Sequence, residues 1–302
     1  MSAELPQVDQ GGKFMGTLTP LTEPRWDAIR EVNENRGVVA AGARAIEMQI
    51  AHPFVAQSIV DAGYFEDDPL RRLRETAQLG MTLIFDSPEN AQNAAYAVRN
   101  KHLQVNRQPR EQRILQEDLG PHYHRGDVYS AHDQEAQKWV AAAIIDSSFV
   151  GYETFVGPLS QDKKAGYLRE AQELFAYTGL RTPLPQTETE LKAYIQGMID
   201  SQKVIAGSAA RQLAPKVLLS DAFPGSEVLA SYLKLTTLAL LPDEIRRQLG
   251  LQKLIPAQRK AFELSTAAIR RVTPHLPERI AINPQAREAN RRPHVIFDSR
   301  IR

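Results

Sequence analysis

The chain contains no cysteine. That removes disulfides, Cys-ligated zinc, iron–sulfur clusters and a thiolate-held haem, so any metal ion must sit on His, Asp, Glu, Tyr, Met or Lys. Excess charge is missing as well: 37 Lys and Arg against 36 Asp and Glu leave a net +1. No global field therefore favours nucleic acid or an anionic membrane. No apolar run approaches the length that spans a bilayer, and MSAELPQVDQGGKF has no hydrophobic stretch after a basic start. A cytoplasmic protein is the simplest reading. There is no GxGxxG before a helix, no P-loop, no HExxH and no GxSxG, so nucleotide-dependent and zinc-protease chemistries have no support. Internal repeats and low-complexity tracts are absent too.

What is present is an ordinary globular composition, 42% hydrophobic and 24% charged over 302 residues, enough for a sizeable core. Helical spacing recurs through most of the chain, while alternating strand patterns are scarce, so the expected fold is all-α. Pro24 suits the first turn of a helix running through RWDAIREVNENR to a stop at Gly37. Asp68 with Pro69, Ser87 with Pro88, and Thr187 with Glu190 open three more. Residues 106–127, NRQPREQRILQEDLGPHYHRGD, read as a polar connecting loop able to serve as a lid. The expected organisation is an extension over residues 1–22, one helical domain over 23–285 and a basic surface tail over 286–302.

The third helix is the most informative. Ala91, Ala94, Ala95, Val98, His102 and Val105 share one helical stripe, which puts the His102 imidazole among apolar neighbours. A core histidine satisfied by a carbonyl is the plainer reading of that pattern, and an axial ligand to haem iron is the alternative. Arg99, one turn earlier, could meet a carboxylate such as a propionate, or simply face water. In the second helix Leu70, Leu73, Ala77, Met81 and Ile84 mark a buried side flanked by Arg72 and Thr76, with Glu75 between them. Arg72 could polarise a bound ligand and Thr76 could donate a hydrogen bond to it, although RRLRE taken alone is a solvated face. His52 precedes Pro53 inside GARAIEMQIAHPFVA, where the proline bends the helix. His122, His124 and His132 lack zinc spacing and are surface histidines.

Five segments in order, GARAIEMQIAHPFVA, FEDDPLRRLRETAQLGMTLIF, AVRNKHLQV, YSAHDQEAQKWVAAAIIDSSFVGYETFVGPLS and LLPDEIRRQLGL, resemble the MpaB and latex-clearing-protein oxygenases over roughly residues 37 to 285. The resemblance implies a single-domain helical bundle with a buried pocket for b-type haem. It also implies cleavage of isoprenoid carbon–carbon double bonds with dioxygen. The family's proximal histidine stands three residues after an arginine and three before a valine, and RNKHLQV places His102 there as the iron ligand. Its distal arginine and threonine correspond to Arg72 and Thr76 in RLRET. The latex-clearing proteins carry a lysine just before that threonine, and this chain has Glu75. A carboxylate there could leave the iron five-coordinate, act as a base, or point away.

The resulting expectation is a haem b-dependent oxygenase with Arg72, Glu75 and Thr76 as catalytic candidates and Arg44, His52, Arg99 and His102 as cofactor-binding ones. Its partners would be dioxygen and a hydrophobic small molecule, with no nucleic acid and no transmembrane segment. An oligomer is left open, as are two other readings: a non-catalytic haem sensor or carrier, and a metal-free helical lipid-binding protein.

Overall fold

A computed structural model describes residues 26–62, 69–218 and 227–291, together with a two-residue antiparallel ribbon in which Gln7 and Val8 pair with Met15 and Phe14. Within the described helix that starts at Pro69, the side chains of residues 69–74 and 76 lie outside this set. Apart from the ribbon, the described elements are helices, and the fold is all-α. The first four are α1 (Asp27–Asn33), α2 (Arg36–Val39), α3 (Gly42–Ile50) and α4 (Pro53–Asp61). A helical hairpin follows, α5 (Pro69–Phe85) and α6 (Pro88–Arg107). The long α7 (Gln134–Phe155), α8 (Gln161–Thr178), α9 (Glu188–Asp200) and α10 (Ser208–Leu218) come next. The chain ends in α11 (Glu227–Leu240), α12 (Asp243–Gln248), α13 (Pro256–Val272), α14 (Glu278–Ala281) and α15 (Pro284–Arg291).

The central element is α7, against which α2, α3, α8, α9 and α13 all pack. Its sequence explains that position: Ala136, Trp139, Ala141, Ala142, Ala143, Ile145 and Phe149 are all buried, and an apolar surface on every side requires burial on every side. The Trp139 indole N–H donates to the Met48 carbonyl at 2.9 Å, which fixes α3 along α7. Closer approach of α2 depends on two glycines. A Cβ at Gly37 would lie 2.7 Å from the Phe155 Cβ, and one at Gly151 would lie 2.9 Å from the Ala41 Cβ. Gly37 is therefore an interhelical contact and not the stop of the first helix, which already ends at Asn33. Pro24, expected to open that helix, lies outside the described residues.

The other start signals hold. Ser87 Oγ accepts from the Asn90 N–H and Thr187 Oγ1 from the Glu190 N–H, while Asp68 lies outside the described residues. Pro53 does more than bend a helix: it forces His52 into extended backbone (φ −83°, ψ 126°), so that α3 ends and α4 begins. Residues 106–127 also differ from the expected lid. Leu115, Leu119 and Tyr123 are buried in a small core of their own with Phe54 and Ile205, and bridges join Ile114 to Val128 and Leu119 to Tyr123. Apolar side chains at those positions anchor the segment to α4. The boundary expected at residue 285 falls inside α15, whose Ala286 and Ala289 pack with Phe85 of α5. No described helix is long and apolar enough to cross a membrane.

Candidate functional site

Ser87 and Pro88 start α6 on a register that buries Ala91, Ala94 and Ala95 and leaves Val98, His102 and Val105 half-buried. The helix thus sinks at its beginning and rises toward the surface where His102 stands. His102 Nδ1 is nonetheless fully buried and has no hydrogen-bond partner among the described residues. Burial pushes the ring down to about 4, and His132 pushes in the same direction. A neutral imidazole at physiological pH follows, with a lone pair or an N–H that nothing among the described residues satisfies.

The surroundings of His102 are cationic on one side. The exposed His132 sets its ring edge-on to His102, with centroids 6.4 Å apart. His132 is itself held below its usual range by burial and then by the positive charges of Arg181 and Arg99. Arg99 Nη2 donates to the Ala176 carbonyl at 3.0 Å near the C-terminal end of α8. Two guanidinium groups and two neutral imidazoles therefore gather where α6, α8 and the start of α7 meet.

On α5, Glu75 is exposed and lies 3.5 Å from Lys101 Nζ, the residue before His102. That pair ties the middle of α5 to the His102 turn of α6, and it also points the Glu75 carboxylate toward solvent. The side chains of Arg72 and Thr76 lie outside the described residues. Of the apolar side expected for α5, Met81 and Ile84 are half-buried against Phe85, Ala286 and Ala289, Ala77 is exposed, and the side chains of Leu70 and Leu73 lie outside the described residues.

The remaining candidates sit deeper. His52 is 1% exposed, its Nε2 lies 3.4 Å from the Tyr123 hydroxyl, and its ring contacts Phe54 and Tyr123. Burial lowers it to about 4. Arg44, also buried, is committed within the protein: it pairs with Asp146 at 2.6 Å, donates to Ser147 Oγ and bonds the Leu240 carbonyl. These bonds join α3, α7 and α11, which accounts for an arginine in a core helix. Sequence reasoning overlooked Glu47, which is wholly buried, has no partner for either carboxylate oxygen among the described residues, and is raised well above the usual carboxylate range by burial. The signal was an acid between Ile46 and Met48 in an otherwise apolar stretch.

Two hollows open on the described surface, one of about 800 Å³ lined by residues such as Ile199, Ala206, Arg211 and Arg247, and one of about 290 Å³ between α7, α11 and α13. Among the described residues, none of the candidate side chains lines either of them. The neighbourhood of His102 is thus a surface-reaching seam between helices.

The helical frame around that seam is an oxygenase domain. The family model described as ER-bound oxygenase mpaB/B′/Rubber oxygenase, catalytic domain, matches residues 29–271, from α1 almost to the end of α13. The chain belongs to that family. No curated protein and no solved structure matches it.

Proposed function

We propose that the chain is a haem b-dependent oxygenase that acts with dioxygen on a hydrophobic substrate of the isoprenoid kind, with His102 as the axial ligand. The observation that carries this reading is the His102 imidazole, neutral, half-buried and with Nδ1 unpartnered, on a chain of an oxygenase family. Its chemistry fits the group: an axial histidine must be neutral and its other nitrogen normally seeks a partner. The guanidinium groups of Arg99 and Arg181 beside His132 suit the two carboxylates of the porphyrin. His52 has the same protonation state, but it is enclosed by Phe54 and Tyr123, whereas His102 reaches the surface.

Haem, when bound, would supply the redox chemistry with dioxygen. The chain's own part is to hold the porphyrin by His102 and its carboxylates by arginine, and to present an apolar substrate away from water. Arg72 and Thr76, by their place in RLRET, would polarise the oxygen side. Glu75, exposed beside Lys101, would be a bystander to that step.

The test is to incubate the haem-loaded protein with a panel of unsaturated isoprenoids under ¹⁸O₂ and to analyse products by mass spectrometry. Labelled carbonyl or hydroxyl products, lost in Arg72→Ala and Thr76→Ala with haem retained, are expected. A haem-loaded protein that binds dioxygen reversibly and yields no product from the panel would instead be a carrier or sensor.

A further inference from the structure

The outer face of α13 is apolar and uncovered. This helix is anchored to the protein through buried Phe262 and Thr266 and through a hydrogen bond between Ser265 and Tyr232 of α11. On the other side Ala257, Ala261, Leu264, Ala268 and Val272 are all exposed, Leu264 by 61% and Val272 by 52%. Their 4-3-4-4 spacing keeps them within an arc of about 80° at 3.6 residues per turn. Further apolar residues stand at the edges: Ile255 at the start of α13 is 59% exposed and Ile280 on α14 is 48% exposed.

Charge around this stripe is mostly positive. Between Lys253 and Arg279 the sequence holds six bases (Lys253, Arg259, Lys260, Arg270, Arg271, Arg279) against two acids (Glu263, Glu278). The whole chain carries only +1, so this segment concentrates positive charge that the total conceals. Lys260 and Arg271 fall directly beside the stripe by helical position, and their long stems can lie along apolar surface with the charge held at its rim.

We propose that α13 docks this protein onto an anionic lipid surface, with Ala257, Ala261, Leu264, Ala268 and Val272 facing the acyl boundary and Lys260 and Arg271 meeting the headgroups. An apolar stripe, low overall hydrophobicity and a basic border are the features by which a helix lies in a membrane interface without crossing it. A second copy of the chain fits less well, because a symmetric pairing would set the same basic borders close together with one acid on each α13 to offset them. Docking does not depend on the reaction proposed above, though a lipid surface is where an apolar substrate would be met.

The experiment is co-sedimentation of the full chain with phosphatidylcholine vesicles, with and without phosphatidylserine, at low and high salt. The chain is expected to bind the phosphatidylserine vesicles and to be released by salt. Leu264→Glu with Val272→Glu, and separately Lys260→Glu with Arg271→Glu, should each reduce partitioning at least about tenfold while circular dichroism stays unchanged, since all four side chains are exposed. Vesicle binding that survives both pairs of substitutions would overturn the proposal, as would no binding by the unaltered chain. A concentration-dependent dimer in sedimentation velocity, dissolved by Leu264→Glu with Val272→Glu, would assign the face to a second copy and also overturn it.

Discussion

Acid should weaken this protein through His52 in a calculable way. The ring is 1% exposed, and its Nε2 lies 3.4 Å from the Tyr123 hydroxyl. That hydroxyl already donates to the Lys203 carbonyl at 2.7 Å, so Nε2 carries the proton toward Tyr123 and the buried Nδ1 is left with an unmet lone pair. Burial lowers the ring from 6.5 to about 4, with Asp133 and Glu135 opposing weakly. A group lowered on folding contributes stability that is complete above its unfolded value and is lost as pH falls through its folded one. The gap corresponds to about 3 kcal/mol, present above pH 6.5 and gone near pH 4. Urea unfolding of the unaltered chain and of His52→Phe across this range isolates it, because every other titrating group is common to both. The stability difference should move by about 3 kcal/mol in favour of His52→Phe on acidification. Parallel pH profiles would refute the assignment of a buried neutral ring.

Glu47 behaves in the opposite sense. Raised by burial, it contributes stability below its unfolded value that is lost as pH rises through its folded one, so Glu47→Leu should raise the melting temperature more at pH 8 than at pH 5. A fall in melting temperature would mean that the carboxyl has a binding partner. Removing one half of the Arg44–Asp146 pair, as in Arg44→Met, should cost about 3–5 kcal/mol in urea unfolding. The double change Arg44→Met with Asp146→Leu should recover much of that, because no uncompensated charge remains. Glu75→Gln weakens an exposed pair with Lys101 and should alter stability by less than about 1 kcal/mol, with the haem spectrum of the loaded protein unchanged.

Helix content and several helix starts were legible because they are local: Ser87 and Thr187 accept the N–H bonds their spacing predicts. Gly37 misled because a glycine at a helix end and a glycine under a crossing helix look alike until Phe155 is seen against it. Residues 106–127 looked polar on average, yet Leu115, Leu119 and Tyr123 are enough to bury the segment on Phe54. Composition hid two further features. Arg44 in a core helix is explained by Asp146, Ser147 and Leu240, a hundred residues or more away, and the cationic face of α13 disappears in a total of +1. The helical stripe that marked His102 did survive, and what the structure adds is the protonation state and the unpartnered Nδ1.

The central claim is that His102 holds haem, and hemin titration of the purified protein tests it most directly. The chain and His52→Ala should each develop a Soret band that saturates near one hemin per chain, with His102→Ala showing a much reduced band and shifted spin-state features. Circular dichroism on the same samples should show an unchanged helical signal in His102→Ala, whose side chain makes no hydrogen bond through its buried nitrogen. The account predicts loss of the band in His102→Ala alone. A full band with an unchanged spin state in that variant, or no saturable hemin binding by the unaltered chain, would contradict it.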